Sequence, residues 1–256
     1  MKEEEYHNQF YDNEANLIFG SAIFSEVRLR VCRFLSKQII YSPKDHILSL
    51  GSGEGSLDIQ MAPLVGQILG VEISEMAVKE AQVKVKAADI TNLNFQVIDI
   101  QKLNYSPNSF DVIWAPAVLH HLDDTHITKL LRNSISWLKP GGIFISLDPS
   151  SRRFVGLFRQ IFAEKYEKYH SPDERELDIK KIRESFESAG FSSVSIHYTD
   201  YFLGPLAWLF PKFPRSLVPL AAAMDSLLLS VPIVQLFASG FAVVAHKCIP
   251  PIEEVG

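Results

Sequence analysis

The run Leu50-Gly51-Ser52-Gly53-Glu54-Gly55 carries the sharpest chemical signal in the sequence. Glycines at alternate positions let a backbone turn tightly and approach a ligand closely. They follow the apolar run His46–Leu50, which reads as a buried parallel strand, and they open a helix. In open α/β sheets the ligand crevice lies at the carboxyl ends of the strands. Glu72 follows Leu69-Gly70-Val71, about 20 residues past the glycines, where a carboxylate can accept both ribose hydroxyls of a nucleoside. Further on, His120 and His121 are candidate proton acceptors, because imidazole titrates near neutral pH and can take a proton from a hydroxyl or an activated carbon. The alternative is that one histidine packs under its loop while the other bonds backbone or cofactor.

These residues need a scaffold, and the pattern around them supplies one. Apolar runs at 46–50, 67–73, 94–100, 110–115, 142–147, 192–198 and 241–245 read as strands. Helical periodicity at 25–38, 74–86, 124–138 and 178–189 alternates with them, and Gly190 closes the last of these helices. Such alternation predicts an α/β fold with a doubly wound, mostly parallel seven-stranded sheet. The 256 residues, 47% hydrophobic and 21% charged, suit one elaborated domain. A formal charge of −5 argues against a nucleic-acid partner, which usually demands a basic stripe. Cys32 and Cys248 have no metal-like spacing and read as buried thiols, and no metal is expected. Met1-Lys2-Glu3-Glu4-Glu5 lacks a signal-peptide layout, so a cytoplasmic protein is expected. Ser226–Ala245 carries no formal charge and approaches the length of a membrane span, but Pro232, Gln235, Ser239 and Gly240 interrupt it.

The motifs Ile47-Leu-Ser-Leu-Gly-Ser-Gly-Glu-Gly55, Gly70-Val-Glu-Ile-Ser74, Phe95-Gln-Val-Ile-Asp99, Phe110-Asp-Val-Ile-Trp114, Leu119-His-His-Leu122 and Leu138-Lys-Pro-Gly-Gly142 occur in this order. Together they resemble the class I S-adenosylmethionine (SAM) dependent methyltransferases, in the small-molecule branch that includes the quinone-biosynthesis enzymes. The resemblance spans about Tyr6 to Phe191 and returns at the last strand. It implies a Rossmann-like SAM fold with helical lid additions, and SAM as cofactor with S-adenosylhomocysteine as product. It also implies that Gly51, Ser52 and Gly53 pass under the methionine portion, that Glu72 holds the ribose hydroxyls and that Ile73 covers one adenine face. Asp99 would accept from the adenine amino group, with the Ile100 N–H beside it. Ala115 would lie near the methionine end, and an N-terminal flap with Tyr6, His7, Phe10 and Tyr11 would close over the site, Tyr11 touching the cofactor. Pro116 stands where the family more usually has a small or polar residue. Holding nucleophile and methyl in line can supply several kcal/mol without a base. Positioning alone is therefore the expectation for His120, while His121 stays open.

The resulting organisation is a flap at 1–24, a SAM-binding core at 25–201 with a lid helix inserted at 151–170, an apolar helical insertion at 202–239 and a last strand at 240–250. Both insertions are rich in large apolar side chains, and Arg152, Arg153 and Arg159 flank the first. That suits a hydrophobic or lipid-linked acceptor, with oxygen favoured over carbon as the methylated atom. It also suits a peripheral membrane contact or a homodimer face. Two rival functions remain at this stage: a SAM-binding partner subunit without catalysis, and a nicotinamide-dependent oxidoreductase. Ser56, where a dinucleotide fingerprint needs a third glycine, counts against the latter.

Overall fold

A computed structural model describes residues 3–153, 171 and 174–249 of the chain. The strands are β1 (His46–Leu50), β2 (Gln67–Glu72), β3 (Leu93–Val97), β4 (Phe110–Pro116), β5 (Leu138–Pro149), β6 (Ser193–Asp200) and β7 (Gly240–His246). They form one seven-stranded sheet in the order β3-β2-β1-β4-β5-β7-β6. β1 pairs in parallel with both β2 and β4, and only β7 runs antiparallel to its neighbours β5 and β6. The order reverses between β1 and β4, so the crevice of this sheet opens at their carboxyl ends.

The inner strands β1, β4 and β7 are largely buried on both sides because both faces of the sheet are covered there. On one face Ile47, Trp114, Ile145 and Val244 pack against α3 (Ala22–Gln38), α4 (Ser56–Met61) and α5 (Glu75–Ala87). On the other, Leu48, Ile113, Phe144 and Val243 meet α6 (Asp124–Trp137) and α7 (Ile179–Ala189). Side-chain caps set the helix starts: Ser74 accepts from the Ala77 N–H at 3.2 Å, and Asp123 from that of His126 at 2.8 Å.

β5 starts at Leu138, ahead of residue 142, and four further details differ from the sequence reading. The N-terminal stretch is helical, as α1 (Glu3–Asn13) and α2 (Ala15–Phe19). α3 starts at Ala22, ahead of Ser25, because the Ser21 hydroxyl caps it through the Phe24 N–H at 3.2 Å. β3 stops at Val97, short of Ile100, because Asp99 accepts the Gln101 N–H at 2.9 Å and begins a 3-10 turn. Cys248 is exposed, beyond the last strand, whereas Cys32 is buried as expected. The lid helix expected at 151–170 lies, beyond residue 153, outside the described residues.

The apolar insertion folds into α8 (Leu203–Leu209) and α9 (Val218–Ser230), and Ser226–Ala245 is divided among the end of α9, a turn and β7. Among the described residues, no helix is long and apolar enough to cross a membrane. Asp225 anchors the insertion. It is fully buried, accepts the backbone N–H groups of Tyr201, Phe202 and Leu203 at 2.9, 2.7 and 3.1 Å, and pairs with Arg30 of α3 at 2.9 Å. Replacing it strands three backbone donors and takes one partner from Arg30, which keeps Glu26, Ser226 and the Ala222 carbonyl. Asp225→Ala is expected to lower stability by about 3–5 kcal/mol; a loss below about 1 kcal/mol in denaturant unfolding would show that the anchor is dispensable.

Asp58 of α4 is a second buried acid. Burial pushes its carboxyl up to about 7; the Ser49 hydroxyl opposes the rise and the Glu54 carboxylate adds to it. The folded state therefore holds this proton more tightly than the unfolded chain does. The associated stability is complete below about pH 4 and is lost as pH rises through about 7. Asp58→Asn is expected to abolish that decline, so that the variant's advantage in Tm grows from pH 5 to pH 8. Parallel Tm profiles for the two proteins would refute this.

Candidate active site

The β1–β4 switch point opens into a cavity of about 870 Å³. Gly51, Ser52 and Gly53 form its floor where β1 ends. Gly51 and Gly53 have φ of +61° and +54°, a region that favours glycine. A Cβ at Gly51 would lie 2.6 Å from the Val118 side chain, and one at Gly53 2.5 Å from the Tyr11 hydroxyl. The loop thus has room for backbone only, and the flap helix α1 reaches down to it. The Asn8 side chain of α1 accepts from the Ser74 hydroxyl at 2.8 Å and fixes the flap to the end of β2. Burial, reinforced by the Glu72 and Glu54 carboxylates, pushes the Tyr11 phenol well above its usual range, so it stays a neutral donor.

Glu72 ends β2 and is buried. Its Oε2 accepts the Gly53 N–H at 3.0 Å, and its Oε1 accepts those of Ile73 and Ser74 at 2.9 and 3.0 Å. A carboxylate offers about four acceptor sites. Three are taken, so one ribose hydroxyl can bond as the loop stands, and a second requires the Gly53 N–H to yield. Asp99 and Ile100, past the end of β3, line the same cavity with Ile73. Ala115 is fully buried in the core, and Pro116, Ala117 and Val118 form the cavity wall in its place. β4 continues through Pro116, paired with Leu147; Ala117 then turns the chain with φ of +58°.

The far end of the cavity holds the histidines. His120 Nδ1 lies 3.0 Å from Asp148 Oδ1, and the same oxygen accepts the His120 backbone N–H at 3.2 Å. Asp148, on β5, has a fully buried side chain. His121 lies against His120 with ring centres 4.2 Å apart and planes inclined by 36°, and it meets Glu3 Oε1 at 2.7 Å. Glu3 Oε1 also meets His7 Nε2 at 3.0 Å. Burial alone would raise Glu3, but hydrogen bonds from His121 and His7 outweigh it and hold the carboxyl well below the usual range. Burial works against the charge on His7, yet the Glu3 contact and the Glu72 charge raise it. Burial and the neighbouring His120 lower His121. Glu3, His7 and His121 bring possible ligand atoms within 4.8 Å of one another, as do His120, His121 and Glu174, so either group could hold a metal ion, which the sequence had not suggested.

Between the two ends runs an aromatic wall. Phe10 of α1 packs against Phe19 and against Trp208 of α8 at 5.6 and 5.9 Å, and Phe24 of α3 meets Trp208 at 5.9 Å. The insertion therefore lies on the carboxyl side of the strands and lines the same cavity as His121. Sequence reasoning missed Asp148, Glu3, Asn8 and Glu174. Asp148 was findable, because it is an acid at a strand's carboxyl end, as Glu72 is. The others act through helix and loop packing that leaves no local signal.

A family model described as "Methyltransferase domain" matches residues 42–201. The chain belongs to this methyltransferase family. The class I SAM-dependent resemblance read from the motifs holds, and the nicotinamide alternative falls. The chain is similar to 27-O-demethylrifamycin SV methyltransferase of Amycolatopsis mediterranei, 32% identical over 54% of this chain and 49% of the relative. It is 33% identical to ubiquinone biosynthesis O-methyltransferase of Albidiferax ferrireducens over 43% of this chain and 44% of the relative. The chain thus spans about half the length of these two relatives. Demethylmenaquinone methyltransferase of Listeria welshimeri is 27% identical over 75% of this chain and 90% of the relative. Among solved structures, a Haloferax volcanii methyltransferase in complex with the Trm112 activator superposes with a TM-score of 0.67 at 16% identity, covering 97% and 100% of the two chains. The [4+2]-cyclase SpnF gives 0.63 at 19%, covering 86% and 81%. At such identities the structures report the fold alone.

The glycine floor and the Glu72 carboxylate fit the nucleoside and amino-acid parts of SAM. Glu72→Gln replaces one acceptor oxygen with a donor facing either Gly53 or the Ile73–Ser74 pair. S-adenosylhomocysteine binding is expected to weaken by about tenfold or more, as the loss of a charge-assisted hydrogen bond implies. An unchanged Kd by calorimetry in a folded variant would remove Glu72 from the site.

Proposed function

We propose that the protein methylates a hydroxyl of a small apolar acceptor, drawing the methyl group from SAM and releasing S-adenosylhomocysteine. The observation that carries this reading is the His120–Asp148 pair. Asp148 fixes the ring through Nδ1 and leaves Nε2 as the nitrogen for an acceptor in the cavity. SAM supplies a methyl already activated on a sulfonium. The chain's own residues must then hold the acceptor oxygen in line and take its proton. His120 Nε2 receives that proton, and the buried Asp148 carboxylate stabilises the imidazolium that forms. Glu72, Asp99 and Ile100 hold the nucleoside, and Gly51–Gly53 leave space for the methionine portion.

His120 thereby takes the base role in place of the positioning expected for it. His121, lowered by burial and lying against His120, is a neutral neighbour that orients the acceptor. The aromatic wall of Phe10, Phe19, Phe24 and Trp208 favours an acceptor with an apolar body. Two relatives are named for a demethylrifamycin and a demethylmenaquinone, which supports an apolar acceptor and, in the first case, methylation of oxygen.

His120→Ala and Asp148→Asn are each expected to lower kcat by about 100-fold or more with S-adenosylhomocysteine affinity retained. Acceptors are screened among apolar phenols and hydroquinones by release of S-adenosylhomocysteine. Turnover in both variants within about threefold of the parent would return the reaction to positioning alone.

A further inference from the structure

Residues 202–239 present two apolar faces. The inner one supplies Leu203, Pro205, Trp208 and Leu209 to the cavity wall. The outer one lies on α9 and the segment after it, where Leu220, Met224, Leu227, Val231, Ile233 and Phe237 are between 42% and 74% exposed. Leu220, Met224 and Leu227 recur at helical spacing on α9, Val231 follows just past its end, and together they form one stripe about 17 Å long at the rise of a helix. Scattered exposed apolar residues need no explanation, but a contiguous stripe of this kind marks an interaction surface.

Charge decides what covers it. The segment holds three charged residues, Lys212, Arg215 and Asp225. Asp225 is fully buried and engaged with Arg30 and the start of α8, while Lys212 and Arg215 are exposed. The exposed charge of this segment is therefore wholly positive, in a chain whose formal charge is −5. Leucine-rich apolar surface on a segment whose exposed charges are all cations is the chemistry of an interfacial helix on an anionic bilayer. A twofold contact between copies would set cations on both sides of the seam and acids of this segment on neither.

We propose that the outer face of α9 docks the protein on an anionic lipid surface. The same insertion gives α8 to the cavity wall, so docking brings the segment that lines the site close to the source of an apolar acceptor. This deepens the apolar-acceptor reading and rests on it for what is delivered. Docking is measured without turnover, so the two fail separately.

The test is co-sedimentation of the full chain with phosphatidylcholine vesicles, with and without phosphatidylglycerol. The parent protein is expected to bind the anionic vesicles at least about tenfold more tightly than the neutral ones. Leu220→Asp combined with Leu227→Asp is expected to weaken binding at least about tenfold, as is Lys212→Glu combined with Arg215→Glu, with Tm and S-adenosylhomocysteine affinity unchanged in both. Failure to bind, equal binding to neutral vesicles, or indifference to both variant pairs overturns the proposal. So does a dimer in sedimentation equilibrium that Leu227→Asp dissociates while vesicles take up no protein.

Discussion

A parallel sheet covered on both faces can offer polar groups to a ligand only where its strands stop. The polar groups that the sheet itself gives to this site obey that constraint. Glu72 stands at the end of β2, Asp99 just past β3, Asp148 near the end of β5, and the glycine floor at the end of β1. The reversal of strand order between β1 and β4 then separates the helices above these ends and leaves the cavity between them. The interior side chains set the register that aligns these termini; Ile47, Leu48, Ile113 and Trp114 are all essentially buried. Local propensity alone would not hold four polar positions to one depth.

The carboxylates at the ends of β2 and β5 serve by different means. Glu72 gives three acceptor positions to its own loop, so it holds the glycine floor in place. Asp148 directs one oxygen to both the backbone and the ring of His120. The first arrangement makes a rigid cradle; the second fixes one imidazole orientation. The flap links them, because α1 contacts the Gly53 end through Tyr11 and the histidine end through Glu3. A helix tied at both ends of a cavity closes it as one body, and the Phe10–Trp208 contact joins that closure to the apolar insertion.

The parallel core was legible because its signals are local and periodic: apolar strands, glycines after β1, an acid after β2, capped helices. Boundaries failed where one side chain outbid the pattern, as Asp99 did by capping a turn before Ile100. Ala115 was placed correctly on its strand but one step short of the cavity, because the strand runs on through Pro116. The contribution of α1 was only partly visible. Its aromatics suggested a flap, but the partners of Glu3 and Asn8 lie more than a hundred and more than sixty residues away, at His121 and Ser74. No spacing rule connects residues whose meeting is set by tertiary packing.

The presence of a cyclase among the fold neighbours shows why the fold cannot by itself define a reaction. A protein that only held SAM would need the glycine floor, Glu72 and the end of β3. It would have no use for a carboxylate sealed at the end of β5. Asp148 Oδ2 is buried with no hydrogen-bond partner among the described residues. A half-satisfied buried carboxylate costs stability, and an apolar residue at that point would remove the cost. What that cost holds in place is the other oxygen, which bonds both the ring and the backbone of His120.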